Sequence, residues 1–347
     1  MFLLPQLTHF LRGAQLAALS FCSGGFELSI PNQPSHIIRP LTEADLPTLV
    51  AYHAALHAAE PYNPTRSLAY LTTWFNQPRD FWAIPVALAT QPDGSEGEII
   101  GITGVAHSGD DLASWGSLSV LPAYRVALAA DLYERAEAIA LEQQLANLTF
   151  TPRQQNVWLQ DFVRERGYQF SRYFWNLRLP AAASLPPMQL PDGYTLRTYV
   201  RGQDEALWQR LDSEVFASGF GQHTLSAAEI EQMLNDPTHE MAGFFFAEQE
   251  GVAVGYCETL IFTNEDNPAL GGDGMIANLG VLAAHRRVGL GRALLLAGCH
   301  YLRQRGCSAI DLHVDGENAT AVRLYESIGF QQHETTLAMI KNFKEAN

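Results

Sequence analysis

The residues best suited to chemistry lie late in the chain. A short apolar run, Met275–Val281, leads through Ala283-Ala284-His285 into Arg286-Arg287-Val288-Gly289-Leu290-Gly291. From Arg292 to Gln304, Leu294, Leu295, Ala297 and Leu302 then recur at helical spacing. A strand, a glycine-bearing turn and a helix start present unpaired backbone N–H groups at a positive helix end, which suits a phosphate. Glycine at 289 and 291 lets a pyrophosphate approach the backbone where a Cβ would stand in the way. Further on, Asn318 and Tyr325 offer an amide and a phenol, while Glu258, Asp273 and His313 offer proton acceptors on or beside apolar, strand-like runs. Each residue also has a structural reading: glycines that let a helix pack near a sheet, an N-cap for Asn318, a core tyrosine, a solvated strand face for Glu258. His285 and His300 read as a loop residue and a helix-surface residue, and Cys257, Cys299 and Cys307 as small buried hydrophobes.

The loop fits two phosphate motifs. Gly289-Leu290-Gly291, with Asp311 twenty residues beyond (311 − 291 = 20), is a partial dinucleotide fingerprint, but Leu294 replaces its third glycine and the earlier strands of this half look antiparallel. The second motif is R-x-x-G-x-G, Arg286 through Gly291, and a downstream stretch bears on the choice. Asn318-Ala319-Thr320-Ala321-Val322-Arg323-Leu324-Tyr325-Glu326-Ser327-Ile328-Gly329-Phe330 fits N-x-x-A-x-x-L-Y-x-x-x-G-F at every defined position. In this order and separation the pair resembles the Gcn5-related N-acetyltransferase (GNAT) superfamily, over the whole of 194–341. Tandem copies with an intact second half and a decayed first half resemble the mycothiol synthase family, which joins an acetyl group to a cysteinyl-glycoside amine.

The resemblance implies direct transfer of an acetyl group from acetyl-CoA to a primary amine of a small molecule, with no metal. It implies that Arg286, Arg287, Val288, Gly289, Leu290, Gly291 and Arg292 bind the pyrophosphate and that Asn318 contacts cofactor amides. The strand ending at Val281 and the next one, Ala309–Val314, are expected to part, with the backbone of Leu279 and Val281 holding the pantetheine arm. Tyr325 is the implied general acid. The base is where this chain departs from many relatives, which carry a carboxylate on the strand before the loop; Met275–Val281 has none. Glu258 is then the candidate for base or amine recognition, with Asp273, His313 and a water chain to solvent left open. Two rival readings remain: a non-catalytic acetyl-CoA sensor or assembly module, and an acetyltransferase acting on a protein or peptide amine.

The elements that must position these residues come twice. The clearest boundary is the proline-rich stretch 179–193, and on either side of it a strand and an acidic helix start appear, His36-Ile37-Ile38-Arg39 before Thr42 and Tyr194-Thr195-Leu196-Arg197 before Gln203. Apolar runs follow in both halves: FWAIPVALA from Phe81 and EIIGITGVAH from Glu98, then GFFFAEQE from Gly243 and VAVGYCETLIF from Val252, with turns expected at Pro92-Asp93-Gly94 and Gln249-Glu250-Gly251. Gly167 and Asn156 lie opposite Gly329 and Asn318 at one offset (329 − 167 = 162; 318 − 156 = 162), and Pro122 lies opposite Ala283 at another (283 − 122 = 161). The expected architecture is α/β (α+β): two tandem GNAT-type domains, each a mixed, largely antiparallel sheet flanked by helices. Residues 1–35 form an N-terminal extension, 36–178 a degenerate domain, 179–193 a linker and 194–347 the acetyltransferase domain. In the degenerate half Arg125 falls opposite Arg286, but Leu128 and Ala130 fall where Gly289 and Gly291 belong, and Val163 falls opposite Tyr325 (325 − 162 = 163). One acetyl-CoA per chain is expected.

Composition sets the outer bounds. With 347 residues, 47% hydrophobic and 17% charged, the chain can bury sizeable cores, and length alone favours two domains. A net charge of −15 argues against a nucleic-acid partner, whose phosphates need a basic face. The four cysteines, Cys22, Cys257, Cys299 and Cys307, form no CxxC pair, which fits a reduced, cytoplasmic chain without a zinc site. No run approaches the ~20 apolar residues of a membrane span. The apolar opening before Gly24 lacks a basic start and is broken by His9 and Arg12, so it reads as an extra helix or an extension instead of a secretory leader.

Overall fold

The computed structural model describes residues 35–343 apart from 77–80, 92, 109–112, 218–224, 237 and 263–271. The expected extension up to residue 34, and Pro92 of one expected turn, lie outside the described residues. The protein divides into two compact units. The N-terminal unit holds the described residues up to Ser171 and those from Leu337; the C-terminal unit holds Arg172–Thr336.

The N-terminal unit runs β1 (His36–Pro40), α1 (Leu46–Ala59), α2 (Leu68–Asn76), β2 (Phe81–Ala83), β3 (Pro85–Thr90), β4 (Glu96–Ser108), β5 (Ala113–Val120), α3 (Arg125–Glu142), β6 (Asn147–Phe150) and α4 (Val157–Arg164). The apolar run from Phe81 is thus two strands, broken at Ile84. β1, β3, β4 and β5 pair antiparallel, β6 joins β5 in parallel, and Met339–Asn342 close the far side against β6. Leu128, Leu132, Ala136 and Ala140, one stripe of α3, pack with Ile100, Val120 and Phe150. Leu46, Leu49, Leu56 and Leu71 of α1 and α2 pack with Val86, Leu88 and Ile99.

The C-terminal unit has the same plan. Its elements are β7 (Gln169–Leu179, counted here from Arg172), β8 (Tyr194–Thr198), α5 (Glu205–Phe216), α6 (Ala227–Asn235), β9 (Phe245–Gln249), β10 (Val252–Phe262), β11 (Asp273–Val281), α7 (Leu290–Gln304), β12 (Ile310–Asp315) and α8 (Ala319–Glu326). β13 (Gln331–Asn342) follows and carries the chain back to the first unit at Leu337. β8, β9, β10 and β11 pair antiparallel, β12 joins β11 in parallel, and β7 pairs antiparallel with β12. The β9–β10 turn has positive φ at both Glu250 (52°) and Gly251 (77°), which matches the right-handed twist of the flanking strands. α7 buries Leu290, Leu294, Leu295 and Leu302 on one face of the sheet, so closely at Gly298 that a Cβ there would meet the Cys257 sulfur at 2.8 Å. Trp208, Leu211 and Val215 of α5 and Ile230 and Met233 of α6 pack with Phe244, Phe246 and Tyr256 in a second core. The stretch 180–193 has no strand or helix, and it packs Ala183, Leu185 and Leu190 against the core under α7.

The repeat extends to side chains. Arg39 of β1 bridges Asp45 and Glu96, each at 2.7 Å, and Arg197 of β8 bridges Asp204 and Glu248, each at 2.6 Å. Asn156 and Asn318 cap α4 and α8 alike, each accepting from the backbone N–H three residues on, at 3.1 Å.

Candidate active site

The turn before α7 is built by backbone geometry. Leu290 begins the helix, and Gly289, with φ 94°, is the residue before it; Arg287 also has a positive φ, 67°. The N–H groups of Leu290 and Gly291, at the first turn of α7, have no intrahelical acceptor. A Cβ on Gly291 would meet nothing nearer than Leu324 at 3.8 Å, and one on Gly289 nothing nearer than Pro191 at 3.9 Å. Gly289 is explained by its left-handed backbone, whereas at Gly291 neither φ nor packing calls for glycine. Arg286 turns back on the fold: its Nε donates to the Val281 carbonyl at 2.8 Å and its guanidinium reaches the Val215 carbonyl at 3.3 Å. That ties the turn to the end of β11 and to α5. Arg287 and Val288 are exposed, and Arg292 donates to the Ser327 hydroxyl at 2.7 Å.

Ahead of this turn the ladder between β11 and β12 consists of Gly274–Ile310, Met275–Asp311 and Ile276–Leu312, although β11 runs on to Val281 and β12 to Asp315. Leu279 and Val281 lie in the part of β11 beyond that ladder; on the other side they pair with Cys257 and Gly255 of β10. Tyr325, on α8, is 1% exposed in the core under α7. Burial raises its phenol well above the usual range, the neighbouring Cys257 and Cys299 adding to this, so it stays protonated at neutral pH. Burial also pushes the Cys299 thiol up to about 12 and raises that of Cys257 well above its usual range, which suits small core residues and not nucleophiles.

Glu258 departs from the solvated strand face that alternation allows, being 2% exposed. It sits where the β10–β11 register shifts, opposite Asn278, with Ala277 as the extra residue that re-aims β11. The Asn278 amide donates to Glu258 Oε2 at 2.7 Å, and His239 Nε2 lies 3.1 Å from Oε1. Cys257, the neighbour of Glu258 on β10, packs under α7, so alternation turns Glu258 to the face carrying α5. On that face the Tyr256 hydroxyl donates to buried Asp212 of α5. Tyr325 and Glu258 therefore stand on opposite faces of one sheet.

The remaining candidates are engaged elsewhere. Asp273 accepts from Ser308 at 2.8 Å and pairs with Arg178 at 3.2 Å, at the opposite end of β11 from the turn. Burial pushes His313 on β12 down to about 4, leaving it neutral. Asn318 spends its side-chain oxygen on the Ala321 N–H. His285 contacts the Tyr194 hydroxyl at 3.1 Å and His300 the Pro186 carbonyl at 2.9 Å. Among the described residues no group of three or more His, Cys, Asp or Glu is placed to hold a metal, and no helix is long and apolar enough to cross a membrane. Sequence patterns do not announce His239 or Asn278, since what brings them to Glu258 is a β-bulge and a loop.

A strand pair that parts before a glycine turn, with a helix packed on each face, is the arrangement found in acetyltransferases of the GNAT type. The profile of the acetyltransferase (GNAT) family matches residues 206–330. The chain belongs to this family. The mycothiol acetyltransferase of Frankia alni is 31% identical to it over 309 residues, 84% of this chain and 90% of that protein. That of Thermobispora bispora is 39% identical over 167 residues, 47% of this chain and 55% of that protein. Against several such relatives the matched region spans about half the length of the relative. Among solved structures, a GCN5-related N-acetyltransferase from Sphaerobacter thermophilus shares the fold with a TM-score of 0.72 at 23% identity, covering 92% of this chain and 98% of that one. A tandem GNAT protein from the clavulanic acid biosynthesis pathway does so with a TM-score of 0.66 at 17% identity, covering 90% and 100%.

Proposed function

We propose that the C-terminal unit transfers an acetyl group from acetyl-CoA directly to a primary amine of a small molecule. The observation that carries this reading is the turn at 286–291, with free helix-start N–H groups and a glycine at 291 that the protein's own packing does not require. Acetyl-CoA supplies the activated acetyl thioester. The N–H groups of Leu290 and Gly291 and the exposed Arg287 hold its pyrophosphate, with Val288, Gly289 and Arg292 shaping the rest of the turn, while Arg286 braces that turn through Val281. The backbone of Leu279 and Val281, beyond the β11–β12 ladder, holds the pantetheine arm, and Asn318 fixes the start of α8 beside it.

Glu258 takes a proton from the acceptor ammonium, leaving a neutral amine that can attack. Tyr325 gives its proton to the departing sulfur, the second proton of the attacking nitrogen and the one held by Glu258 pass to solvent, and Tyr325 recovers one from solvent. Acid and base thus work from opposite faces of the sheet through the gap between β11 and β12. The net change is an ammonium and an acetyl thioester converted to an amide, a free thiol and a proton.

The relatives named mycothiol acetyltransferase support a small acceptor and put a thiol-glycoside amine first in the test. The protein is offered acetyl-CoA with thiol-glycoside amines, aminoglycosides, polyamines, amino acids and peptide N-termini, and release of free thiol is followed. Turnover with at least one small amine is expected. Tight CoA binding with no thiol release from any amine would instead mark a sensor, and turnover confined to peptides would move the acceptor to another class.

A further inference from the structure

We infer that Tyr194 is a positioning residue for the cofactor turn, steadying its entry through His285, and that the stretch 180–193 is a strap that runs along α7 to bring it there. This deepens the reading of 286–291 as the pyrophosphate site and rests on it. The strap follows α7 from its end to its start. Near the end of the helix Arg303 donates to the Pro180 carbonyl at 2.5 Å, and one turn back His300 contacts the Pro186 carbonyl at 2.9 Å. Ala183, Leu185 and Leu190 pack against the core under the same helix. At the start of α7 the strap closes in a turn, the Tyr194 N–H donating to the Pro191 carbonyl at 3.2 Å with Gly193 at φ 83°. That turn sets Pro191 beside Gly289 and Tyr194 beside His285. The phenol oxygen lies 3.1 Å from His285 Nδ1, with the two rings nearly perpendicular and their centroids 6.0 Å apart.

The backbone of the cofactor turn shows what such support is for. Arg287 holds a φ of 67° without being glycine, and a conformation of that kind persists where the residues around it are fixed by the surrounding structure. Arg286 supplies one anchor, through the carbonyls of Val281 and Val215. The strap supplies another. Tyr194 opens β8 and is paired there with Gln249 of β9, so the sheet fixes the phenol, and the phenol fixes the imidazole immediately before Arg286. The N–H groups of Leu290 and Gly291 can then meet a pyrophosphate without first having to order the turn, and affinity is gained by preorganisation. The N-terminal unit makes a different contact at this place. His36 begins β1 as Tyr194 begins β8, but its imidazole reaches Asp131 within α3, 3.1 Å away, in a helix that starts at Arg125 without a glycine turn. Brace and glycine turn thus occur in the same half.

The test uses the full chain with Tyr194→Phe, which keeps the ring and removes the hydroxyl, His285→Leu, the double variant and Gly291→Trp. CoA affinity is read by calorimetry. With a saturating small amine, kcat and KM are measured for acetyl-CoA and for S-acetylpantetheine, a donor that lacks the pyrophosphate and the nucleotide. Tyr194→Phe should weaken CoA binding and raise the acetyl-CoA KM ~3–10-fold, as loss of one hydrogen bond does, with kcat unchanged. Its kcat/KM with S-acetylpantetheine should equal the parent's. The double variant should bind CoA as His285→Leu does, because the two side chains act as one contact. If Gly291→Trp binds CoA like the parent, the pyrophosphate reading falls and the positioning role falls with it. If Gly291→Trp loses CoA while Tyr194→Phe binds it like the parent, loses the same factor with S-acetylpantetheine, or adds its loss in full to that of His285→Leu, the pyrophosphate reading stands and the role of Tyr194 alone is overturned.

Discussion

The turn at 286–291 and its counterpart at 125–130 start from the same arginine and end differently. In the C-terminal unit the chain loops through Arg287 and Gly289 at positive φ before α7 begins at Leu290. In the N-terminal unit α3 already begins at Arg125, directly after a turn of 3-10 helix, and Leu128, opposite Gly289, is driven fully into the core. The two arginines also part company. Arg286 braces its turn through backbone carbonyls, whereas Arg125 pairs with Glu60 at 2.6 Å and lies 4.1 Å over the Trp158 ring, which puts a carboxylate beside the helix start. Two copies of a fold can therefore share sheet, helices, caps and the arginine-centred ion pairs of β1 and β8, and differ in the few residues proposed to make an anion cradle. Tyr325 and Val163 make the same point: both are core residues at 1% and 0% exposure, so the repeat packs at this position without a phenol.

Substitutions in the two halves test how far they differ in function. The largest effect is expected at the phenol. Tyr325→Phe keeps the ring and removes the proton donor, so turnover should fall ~10²–10⁴-fold while CoA affinity persists; an unchanged rate with chemistry limiting would make Tyr325 a core residue like Val163. Next comes the turn. Gly291→Trp should abolish CoA binding by calorimetry in a folded protein, and the parent should bind one CoA per chain with high affinity. Unchanged affinity in Gly291→Trp would remove the pyrophosphate from this turn, and two equivalent sites would show that the helical start at Arg125 is no barrier.

The smallest effect is one the halves should share. Each has a histidine pushed by burial from 6.5 down to about 4, His53 in the first, where the charge of Arg66 adds to the effect, and His313 in the second. Between those values the unfolded chain takes up a proton that the folded chain refuses. The stability in question is therefore whole above about pH 6.5 and drains away as pH falls toward 4, on the order of 3 kcal/mol for each group. His53→Gln and His313→Gln should each flatten that fall in urea unfolding followed across pH. A slope unchanged in either variant would show that histidine to be protonated in the folded state.

How much of this was legible beforehand varies with the range of the interaction. The turn, the start of the following helix and the cap at Asn318 are local: φ at Gly289 and the pairing of N–H groups a few residues on are decided by neighbours in sequence, so the motif announced them. The tandem plan was legible too, because a repeat carries its strand and helix order twice, down to Asn156 and Asn318 capping alike. Burial of Glu258 was not. Alternation along VAVGYCETLIF says only that Tyr256 and Glu258 share a face, and α5 together with the segment holding His239 decides that this face is covered. The break at Ile84, the carbonyl contacts of Arg286 and the helical start at Arg125 likewise depend on partners far along the chain. Local contacts set the glycine turn and the family motif around it, since both are written within a few residues. Packing across the fold sets which carboxylate is buried beside Asn278, and on which side of the sheet from Tyr325, because strand order, a one-residue bulge and helix packing are long-range outcomes that no local pattern encodes.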